Sequence, residues 1–330
     1  MCLPGGYRTP FRKEARRGSP GFLARIDERK GKRRMNFRLR RLTGCLLAMA
    51  LLLAVSFGVE AEELNDSGSA EAESGLTAVH AAVYRTGEGM LFEKTTASGK
   101  VLPASVTKLF TALVALEYLT PDTYVTAGSE LDFVAWDASK AKIEEGDTLS
   151  VDMLMEGMLL PSGNDAAYVL AAAAGRKIGG DLSAGEAVAV FVREMNKTAR
   201  QLGLTHTRFL NPDGYHVGGH YSSLEDLVRI GQLALDTPEI ARYVSVSEDE
   251  VTFASGETRF WENTNELLHP QSDYYRSDTC GLKTGMTDAA GSCLLAAFRR
   301  EEGYLIVGVF GCPGFDDRFD DAVLLRDRYS

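Results

Sequence analysis

Residues 76–330 have the pattern of a mixed α/β (α+β) domain, with an antiparallel five-stranded sheet, flanking helices and an inserted helical lobe. Two strand-like runs lie at the start of this stretch and three lie at its end. The long segment between them has the apolar spacing of helices. Strands at both ends with helices in between favour a single sheet that both ends of the chain complete.

The five predicted strands are short apolar runs bounded by turn residues. Residues 85–89 contain two glycines and predict a hairpin turn between the first two strands, and residues 301–303 predict a turn between the last two. The predicted strands are 77–84, 90–94, 281–285, 292–299 and 304–311.

The helical segment begins with residues 105–119, which are apolar almost all round and therefore predict a buried helix. Ser150 is a good N-cap for the next helix. A later helix is expected to stop at Gly175. The remaining predicted helices are 151–160, 165–174, 182–202 and 223–235.

The net charge of −10 is the sum of a basic N-terminal segment and an acidic remainder. Residues 1–61 hold 14 Lys and Arg against 4 Asp and Glu, a net of +10. Subtracting these from the totals of 36 and 46 leaves 22 basic and 42 acidic residues, a net of −20, in the remainder. So acidic a domain is unsuited to binding nucleic acid or anionic lipid through a basic face. The 45% hydrophobic content is that of a globular protein.

Residues 1–61 have the features of a basic leader with a secretory signal. Arginines precede the apolar run 46–55, and Val59 and Ala61 place small residues at a cleavage site. The 16 uncharged residues 44–59 are fewer than the ~20 that span a bilayer, although an uncleaved anchor stays open. Met35 is a possible true start. Residues 62–75 predict a flexible acidic linker, and the domain is expected to be secreted or extracytoplasmic.

Three short motifs carry the candidate chemistry. Ser105 and Lys108 lie three apart at the start of the buried helix and share one face. The second motif, Ser162 to Asn164, lies between two predicted helices, and the third, Lys283 to Gly285, lies in the predicted strand 281–285. Each is weak alone, but their order suits one cleft between the sheet and the helical lobe.

These residues can perform serine nucleophilic catalysis without a histidine. A serine hydroxyl needs a base within hydrogen-bond distance, and a lysine can be that base only when its amine is neutral. Burial lowers the pKa of a lysine, and a second ammonium lowers it further. We therefore expect Ser105 to be the nucleophile and Lys108 the general base, with Lys283 supplying the second charge.

The other motif residues suit roles around the reacting carbonyl. Asn164 can donate to the acyl part of a substrate, and Ser162 can relay a proton to the departing amine. Thr284 with Lys283 can bind a carboxylate. The backbone N–H groups of Ser105 and Met286 can form an oxyanion hole, and Gly285 lets substrate approach the strand.

The sequence lacks the other familiar catalytic motifs, including the Gly-x-Ser-x-Gly elbow, the His-Glu-x-x-His zinc motif and phosphate-binding loops. His216 and His220 lie four apart in a Gly-rich stretch, but zinc requires a third protein ligand. No metal site and no cofactor are therefore expected.

The three motifs, in this order, resemble the low-molecular-weight penicillin-binding proteins, the serine-type D-alanyl-D-alanine carboxypeptidases of peptidase family S11. The flanking segments match as well. They are LPASVTK (102–108), MLLPSGNDAA (158–167), FLNPDG (209–214), YSS (221–223), NTNELL (263–268) and GLKTG (281–285).

The resemblance covers residues 76–330 and implies a β-lactamase/transpeptidase-like fold. It implies removal of the terminal D-alanine from peptidoglycan stem peptides through a Ser105 acyl-enzyme, and acylation by β-lactam antibiotics. It further implies that Arg318 helps to hold the substrate carboxylate, although a surface ion pair with neighbouring aspartates is the alternative. Many members carry a C-terminal β-rich domain and an amphipathic membrane helix. We expect neither after residue 311 of this chain, with a truncated sequence as the alternative, and we expect membrane contact only through an uncleaved leader.

Other interpretations stay open at this point. A serine β-lactamase needs a carboxylate-bearing loop for deacylation, and the segment 262–265 is one residue too short for that pattern. A penicillin sensor would need several membrane helices, and an inactive wall-binding domain would not need the intact motifs. Among Cys280, Cys293 and Cys312, we expect at most one disulfide.

Overall fold

The computed structural model describes residues 75–330, so the predicted leader, cleavage site and most of the linker lie outside the described residues. The central sheet has five strands in the order β2-β1-β9-β8-β7, and every neighbouring pair is antiparallel. Its strands are β1 His80–Arg85, β2 Gly89–Lys94, β7 Thr279–Thr287, β8 Gly291–Arg300 and β9 Gly303–Cys312. The first and last thirds of the domain thus meet at the β1–β9 pair, as predicted.

The helical lobe lies between β2 and β7 in the chain. Its helices are α1 Thr107–Ala115, α2 Val151–Leu159, α3 Asn164–Gly179, α4 Ala184–Leu202, α5 Leu224–Leu235 and α6 Pro238–Val244. Two small hairpins accompany them, formed by β3 Tyr124–Thr126 with β4 Thr148–Ser150 and by β5 Glu248–Thr252 with β6 Thr258–Glu262. Helix α1 is buried at every position, because helices pack around it within the lobe.

The N-terminus of α2 confirms one local prediction. The Ser150 hydroxyl accepts a hydrogen bond from the backbone N–H of Met153, as an N-cap does. Helix α2 ends at Leu159, and the turn that follows leads into the second motif.

The predicted end of the next helix at Gly175 is wrong, because α3 continues to Gly179. A Cβ added at Gly175 would lie 2.0 Å from the carbonyl oxygen of Ala187 on α4. This glycine therefore allows two helices to approach closely and does not end a helix. Asn164 also belongs to α3, as its first residue, and not to the gap before it.

The helix that follows the last strand, α7 Asp317–Arg328, was not predicted. Its charged sequence conceals a narrow apolar stripe, and Phe319, Ala322 and Leu325 are buried against β8 and β9. Spacings of three residues keep this stripe on one helix face. The helix covers one face of the sheet and brings Arg318 to the edge of the site.

In the part of the chain that is described, no helix is both long and apolar enough to cross a membrane. Cys280, Cys293 and Cys312 are all buried, and no disulfide joins any two of them. Strands β8 and β9 pair around residues 301–302 as predicted, yet Cys293 and Cys312 do not form a bridge in the structure.

Candidate active site

Ser105 and Lys108 are held together where a 3-10 turn, Ala104–Val106, leads into α1. The Nζ of Lys108 donates hydrogen bonds to Ser105 Oγ at 2.6 Å and to the carbonyl oxygen of Asp213 at 3.0 Å. It also lies 3.5 Å from Ser162 Oγ. The lysine side chain is completely buried, whereas Ser105 is half-buried and lines a cleft.

The amine of Lys108 can become neutral near physiological pH. Burial lowers its pKa to about 8, while the carboxylates of Asp213 and Asp165 favour the charged form and limit the shift. The lowered pKa favours the neutral amine, which is the form that can accept a proton from Ser105.

The second motif, Ser162 to Asn164, lies next to the pair formed by Ser105 and Lys108. Ser162 adopts a positive φ of 63°, which is uncommon for a residue with a side chain. Asn164 begins α3 and donates from Nδ2 to the buried carboxylate of Asp213 at 2.7 Å. The next residue, Asp165, accepts the backbone N–H groups of Ala141 and Ile143, which fixes a segment beside the cleft. This turn is thus held rigidly at the cleft.

The third motif lies on β7, the edge strand of the sheet. Lys283 is buried, and its Nζ donates to Thr264 Oγ1 at 3.3 Å and to Thr284 Oγ1 at 3.4 Å. The hydroxyls of Thr264 and Thr284 are also hydrogen-bonded to each other. One ammonium and two hydroxyls therefore converge at this end of the cleft.

The ammonium groups of the two lysines disfavour each other's charge. Burial is the main cause of the lowered pKa of Lys108. Burial, and then the charges of Lys108 and Arg318, bring the pKa of Lys283 well below its ordinary value. Lys108 keeps its proton more readily because Asp213 and Asp165 stabilise the charge.

Gly285 brings β7 against the turn that carries the serine. A Cβ at this position would lie 2.9 Å from the backbone N of Ser105 and 2.9 Å from the Cβ of Ala104. Met286 follows directly on the strand, and its side chain is exposed. The backbone of Ser105 and that of β7 are therefore in close contact at the cleft.

Arg318 reaches the same strand from α7. Its Nη1 donates to the carbonyl oxygen of Gly285 at 3.3 Å, and its guanidinium stacks on Phe315, with 4.1 Å from Cζ to the ring centroid. Because only 2% of Arg318 is exposed, the alternative of a surface ion pair does not describe it.

The predicted residues surround one cleft of about 600 Å³, which we call the catalytic cleft. Lys108 and Lys283 lie just behind its surface, bonded to residues that line it. The predicted residues on its surface are Ser105, Ser162, Asn164, Thr284, Gly285, Met286 and Arg318.

Sequence reasoning assigned no role to two residues that complete this site. Asp213 binds Lys108 through its carbonyl and Asn164 through its carboxylate, and burial raises the pKa of that carboxyl. Thr264 binds Lys283 and Thr284. Both lie in flanking segments that match the family, FLNPDG and NTNELL, which was the available sequence signal.

Of the two histidines that lie four apart, His216 lines the catalytic cleft and His220 does not. His220 is buried and hydrogen-bonded to Thr107 Oγ1 at 3.0 Å, and burial lowers its pKa to about 4. Within residues 75–330, no group of three or more His, Cys, Asp or Glu side chains has an arrangement that could hold a metal ion.

Comparison with known proteins agrees with this geometry. The family model Peptidase_S11, described as D-alanyl-D-alanine carboxypeptidase, matches residues 68–314. This chain belongs to the S11 family. It is 31% identical over 300 residues to a Streptomyces D-alanyl-D-alanine carboxypeptidase of strain K15, a match that covers 88% of this chain and 98% of the relative. It is 28% identical to DacF of Bacillus subtilis, over 83% of this chain and 66% of the relative.

Solved structures of S11 relatives have the same fold. The Streptomyces K15 DD-transpeptidase matches with a TM-score of 0.67 and 31% identity, over 76% of this chain and 96% of that chain. Penicillin-Binding Protein D2 from Listeria monocytogenes, in its ampicillin-bound form, matches with a TM-score of 0.61 and 30% identity, over 77% and 98% of the two chains. The β-lactamase/transpeptidase-like prediction is thus confirmed. The chain spans only about 55–57% of the length of the Escherichia coli relatives DacA and DacC.

Proposed function

We propose that this chain is a serine D-Ala-D-Ala carboxypeptidase that removes the terminal D-alanine from peptidoglycan stem peptides and is acylated by penicillins. The observation that carries this proposal is the 2.6 Å hydrogen bond between Lys108 and Ser105, opposite the Lys283–Gly285 segment of β7. Membership of the S11 family supports the same activity.

Acylation begins with the neutral amine of Lys108. It takes the proton of Ser105 Oγ as that oxygen attacks the carbonyl carbon of the penultimate D-alanine. The carbonyl oxygen gains negative charge, and the backbone N–H groups of Ser105 and Met286 stabilise it. The C–N bond then breaks, and the proton passes from Lys108 through Ser162 Oγ, 3.5 Å away, to the departing amine.

Substrate binding uses the two ends of the catalytic cleft. At one end, the terminal carboxylate binds Lys283 and Thr284, with the Arg318 guanidinium nearby on the same strand. An incoming carboxylate favours the charged form of Lys283 and so restores the charge that burial opposes. At the other end, Asn164 has one amide hydrogen on Asp213 and can donate the second to the acyl chain.

Deacylation completes the cycle. A water molecule attacks the ester carbon, Lys108 again accepts the proton, and Ser105 Oγ leaves as a hydroxyl, so the stem peptide is released one residue shorter. A β-lactamase requires a carboxylate for this step, and Glu262, the candidate for that role, lines a different cleft from Ser105. This placement supports the peptidase over the lactamase.

The place of action is the outer face of the cytoplasmic membrane or the cell wall. The proposal rests on the basic leader and apolar run of residues 1–61, with residues 62–75 as the linker and 76–330 as the catalytic domain. Activity there would contribute to cell wall biogenesis and cell shape.

Mass spectrometry of a pentapeptide ending in D-Ala-D-Ala tests the function directly. We expect incubation with the protein to give a tetrapeptide and free alanine, and the Ser105→Ala variant to give neither. An intact peptide together with rapid turnover of penicillin would favour the lactamase and contradict the proposal.

A further inference from the structure

The guanidinium of Arg318 lacks the partner that a buried charge normally has. Its Nε is buried without a hydrogen-bond partner, and its hydrogen bond to the carbonyl oxygen of Gly285 is long, at 3.3 Å. None of the ion pairs found within residues 75–330 includes Arg318. Because arginine is seldom fully buried unless it is paired, another contact is needed to hold this side chain in place.

The ring of Phe315 supplies this contact. The Cζ of Arg318 lies 4.1 Å from the centroid of the Phe315 ring and 4.8 Å from that of Phe319. Both distances are within the range of about 6 Å over which a cation is attracted to an aromatic face. Phe315 is the nearer ring, and it also lines the catalytic cleft. It therefore contacts the guanidinium at the cleft itself.

The segment that carries Phe315 is fixed just before α7. The carboxylate of Asp317 accepts the backbone N–H of Gly314 at 2.7 Å. The Phe315 ring packs edge-on against Phe319, with 6.4 Å between the ring centroids. Phe319 belongs to the buried core that α7 shares with the sheet. A chain of contacts thus leads from this core through the two rings to Arg318.

The surrounding charges give the guanidinium a reason to move away. Burial, and then the charges of Lys108 and Arg318, lower the pKa of Lys283, so Arg318 and Lys283 are close enough to repel each other. Burial also lowers the pKa of Arg318. Phe315 is more than half exposed, so water is close by, and a long cationic side chain is stabilised when it reaches water. Stacking on Phe315 opposes that movement.

We propose that Phe315 is a positioning residue, whose ring holds the Arg318 guanidinium against β7 in the place where it can bind the carboxylate of the leaving residue. This inference rests on the proposed function, in which that carboxylate lies beside Arg318. Phe315 takes no part in making or breaking bonds. Its loss therefore weakens substrate binding and leaves the acyl-transfer steps intact.

Steady-state kinetics of Phe315→Ala on the pentapeptide ending in D-Ala-D-Ala test this role. We expect KM to rise about five- to tenfold and kcat to stay within about twofold, because the carboxylate binds before acylation and departs before deacylation. Phe260→Ala is the matched control. Phe260 is 57% exposed against 53% for Phe315, but it does not line the catalytic cleft, so both constants should stay unchanged. A fall in kcat at constant KM for Phe315→Ala would contradict the proposal.

Two further substitutions separate the aromatic face from mere bulk. Phe315→Tyr keeps the ring and should restore the KM of the unmodified protein. Phe315→Leu keeps an apolar side chain without a ring and should raise KM as Phe315→Ala does. Thermal unfolding checks that each variant is folded. A folded Phe315→Leu variant with an unchanged KM would overturn the stacking.

A double-mutant cycle shows whether Phe315 acts through Arg318. Arg318→Met removes the charge and keeps a buried apolar side chain. In this background Phe315→Ala should change KM by less than about twofold, since the group that it positions is gone. The same five- to tenfold rise in both backgrounds would overturn the proposal.

Failure of the unmodified protein to release D-alanine would instead contradict the proposed function. The cycle is then measured on acylation by penicillin at low concentration, since penicillin also carries a carboxylate. Equal effects of Phe315→Ala with and without Arg318 in that measurement would overturn the positioning role, and an effect seen only with Arg318 would support it.

Discussion

The backbone carbonyl of Asp213 accepts a hydrogen bond from the Nζ of Lys108 at 3.0 Å. The carboxylate of the same aspartate, which is buried, accepts the amide of Asn164 at 2.7 Å. Asp213 thus links the first motif to the second and also adjusts the charge of the lysine, because its carboxylate raises the pKa of Lys108 against the effect of burial.

The pH dependence of acylation is expected to reflect the pKa of Lys108, which burial lowers and the Asp213 carboxylate raises. Lys108 is an effective base only when deprotonated, so the rate of penicillin acylation should rise with pH and level off above about 8. In Asp213→Asn, the group that favours the ammonium is gone, while the side-chain oxygen can still accept the Asn164 amide. The midpoint should therefore move to lower pH. An unchanged or higher midpoint would show that Asp213 does not control the base.

The identity of the base is tested by Lys108→Arg. Arginine keeps the positive charge but cannot lose its proton, so we expect acylation to fall by about a hundredfold or more. Thermal unfolding of the variant checks that the buried site still folds, and Lys100→Arg at an exposed position is the matched control. Near-normal acylation of a folded variant would remove Lys108 from the role of base.

The contact between β7 and the serine turn is tested by Gly285→Ala. The new methyl group would lie 2.9 Å from the backbone N of Ser105, so strand and turn must separate. We expect acylation to fall by about ten- to a hundredfold, since small displacements of reacting groups are costly. Gly218→Ala, where a Cβ meets nothing within 4 Å, should be acylated normally. Equal rates for both variants would contradict a tight contact.

The turn after Asp213 is expected to be important for stability. Gly214 has φ +82°, and a Cβ there would lie 1.9 Å from the carbonyl oxygen of Ala104. Gly256 has a similar φ of +88° but open space around it. Urea unfolding should therefore give a free energy of unfolding about 2 kcal/mol lower for Gly214→Ala than for Gly256→Ala. Both variants place a side chain at a positive φ, but only Gly214→Ala also adds a clash. Similar losses would count against this packing.

Much of the fold follows from local sequence patterns. In each of the five strands, and in the buried helix after Ser105, the spacing of apolar residues is typical of only one type of secondary structure. The sheet and the order of its strands along the chain were therefore predictable. Helix α7 was not, because only Phe319, Ala322 and Leu325 carry its apolar stripe among many charges. In the β5–β6 hairpin, Trp261 packs against Gly157 on α2. Such long-range contacts leave no periodic signal.

The candidate site, like the fold, was predictable only in part. Ser105 with Lys108, and Lys283 with Thr284, are neighbours in sequence, so their association could be inferred from spacing. Asp213 lies 105 residues from Lys108 in sequence, and only folding brings them together. The carboxylates of Asp213 and Asp165, which raise the pKa of Lys108, could not be placed beside that lysine from the sequence.

The most direct test of the account is the location of the penicillin adduct. The protein is incubated with penicillin and digested, and the modified peptide is identified by mass spectrometry beside the Ser105→Ala variant. We predict one penicilloyl group, on Ser105, and no adduct on the variant. An adduct on any other residue, or equal labelling of the two proteins, would contradict the assignment of Ser105 as the nucleophile.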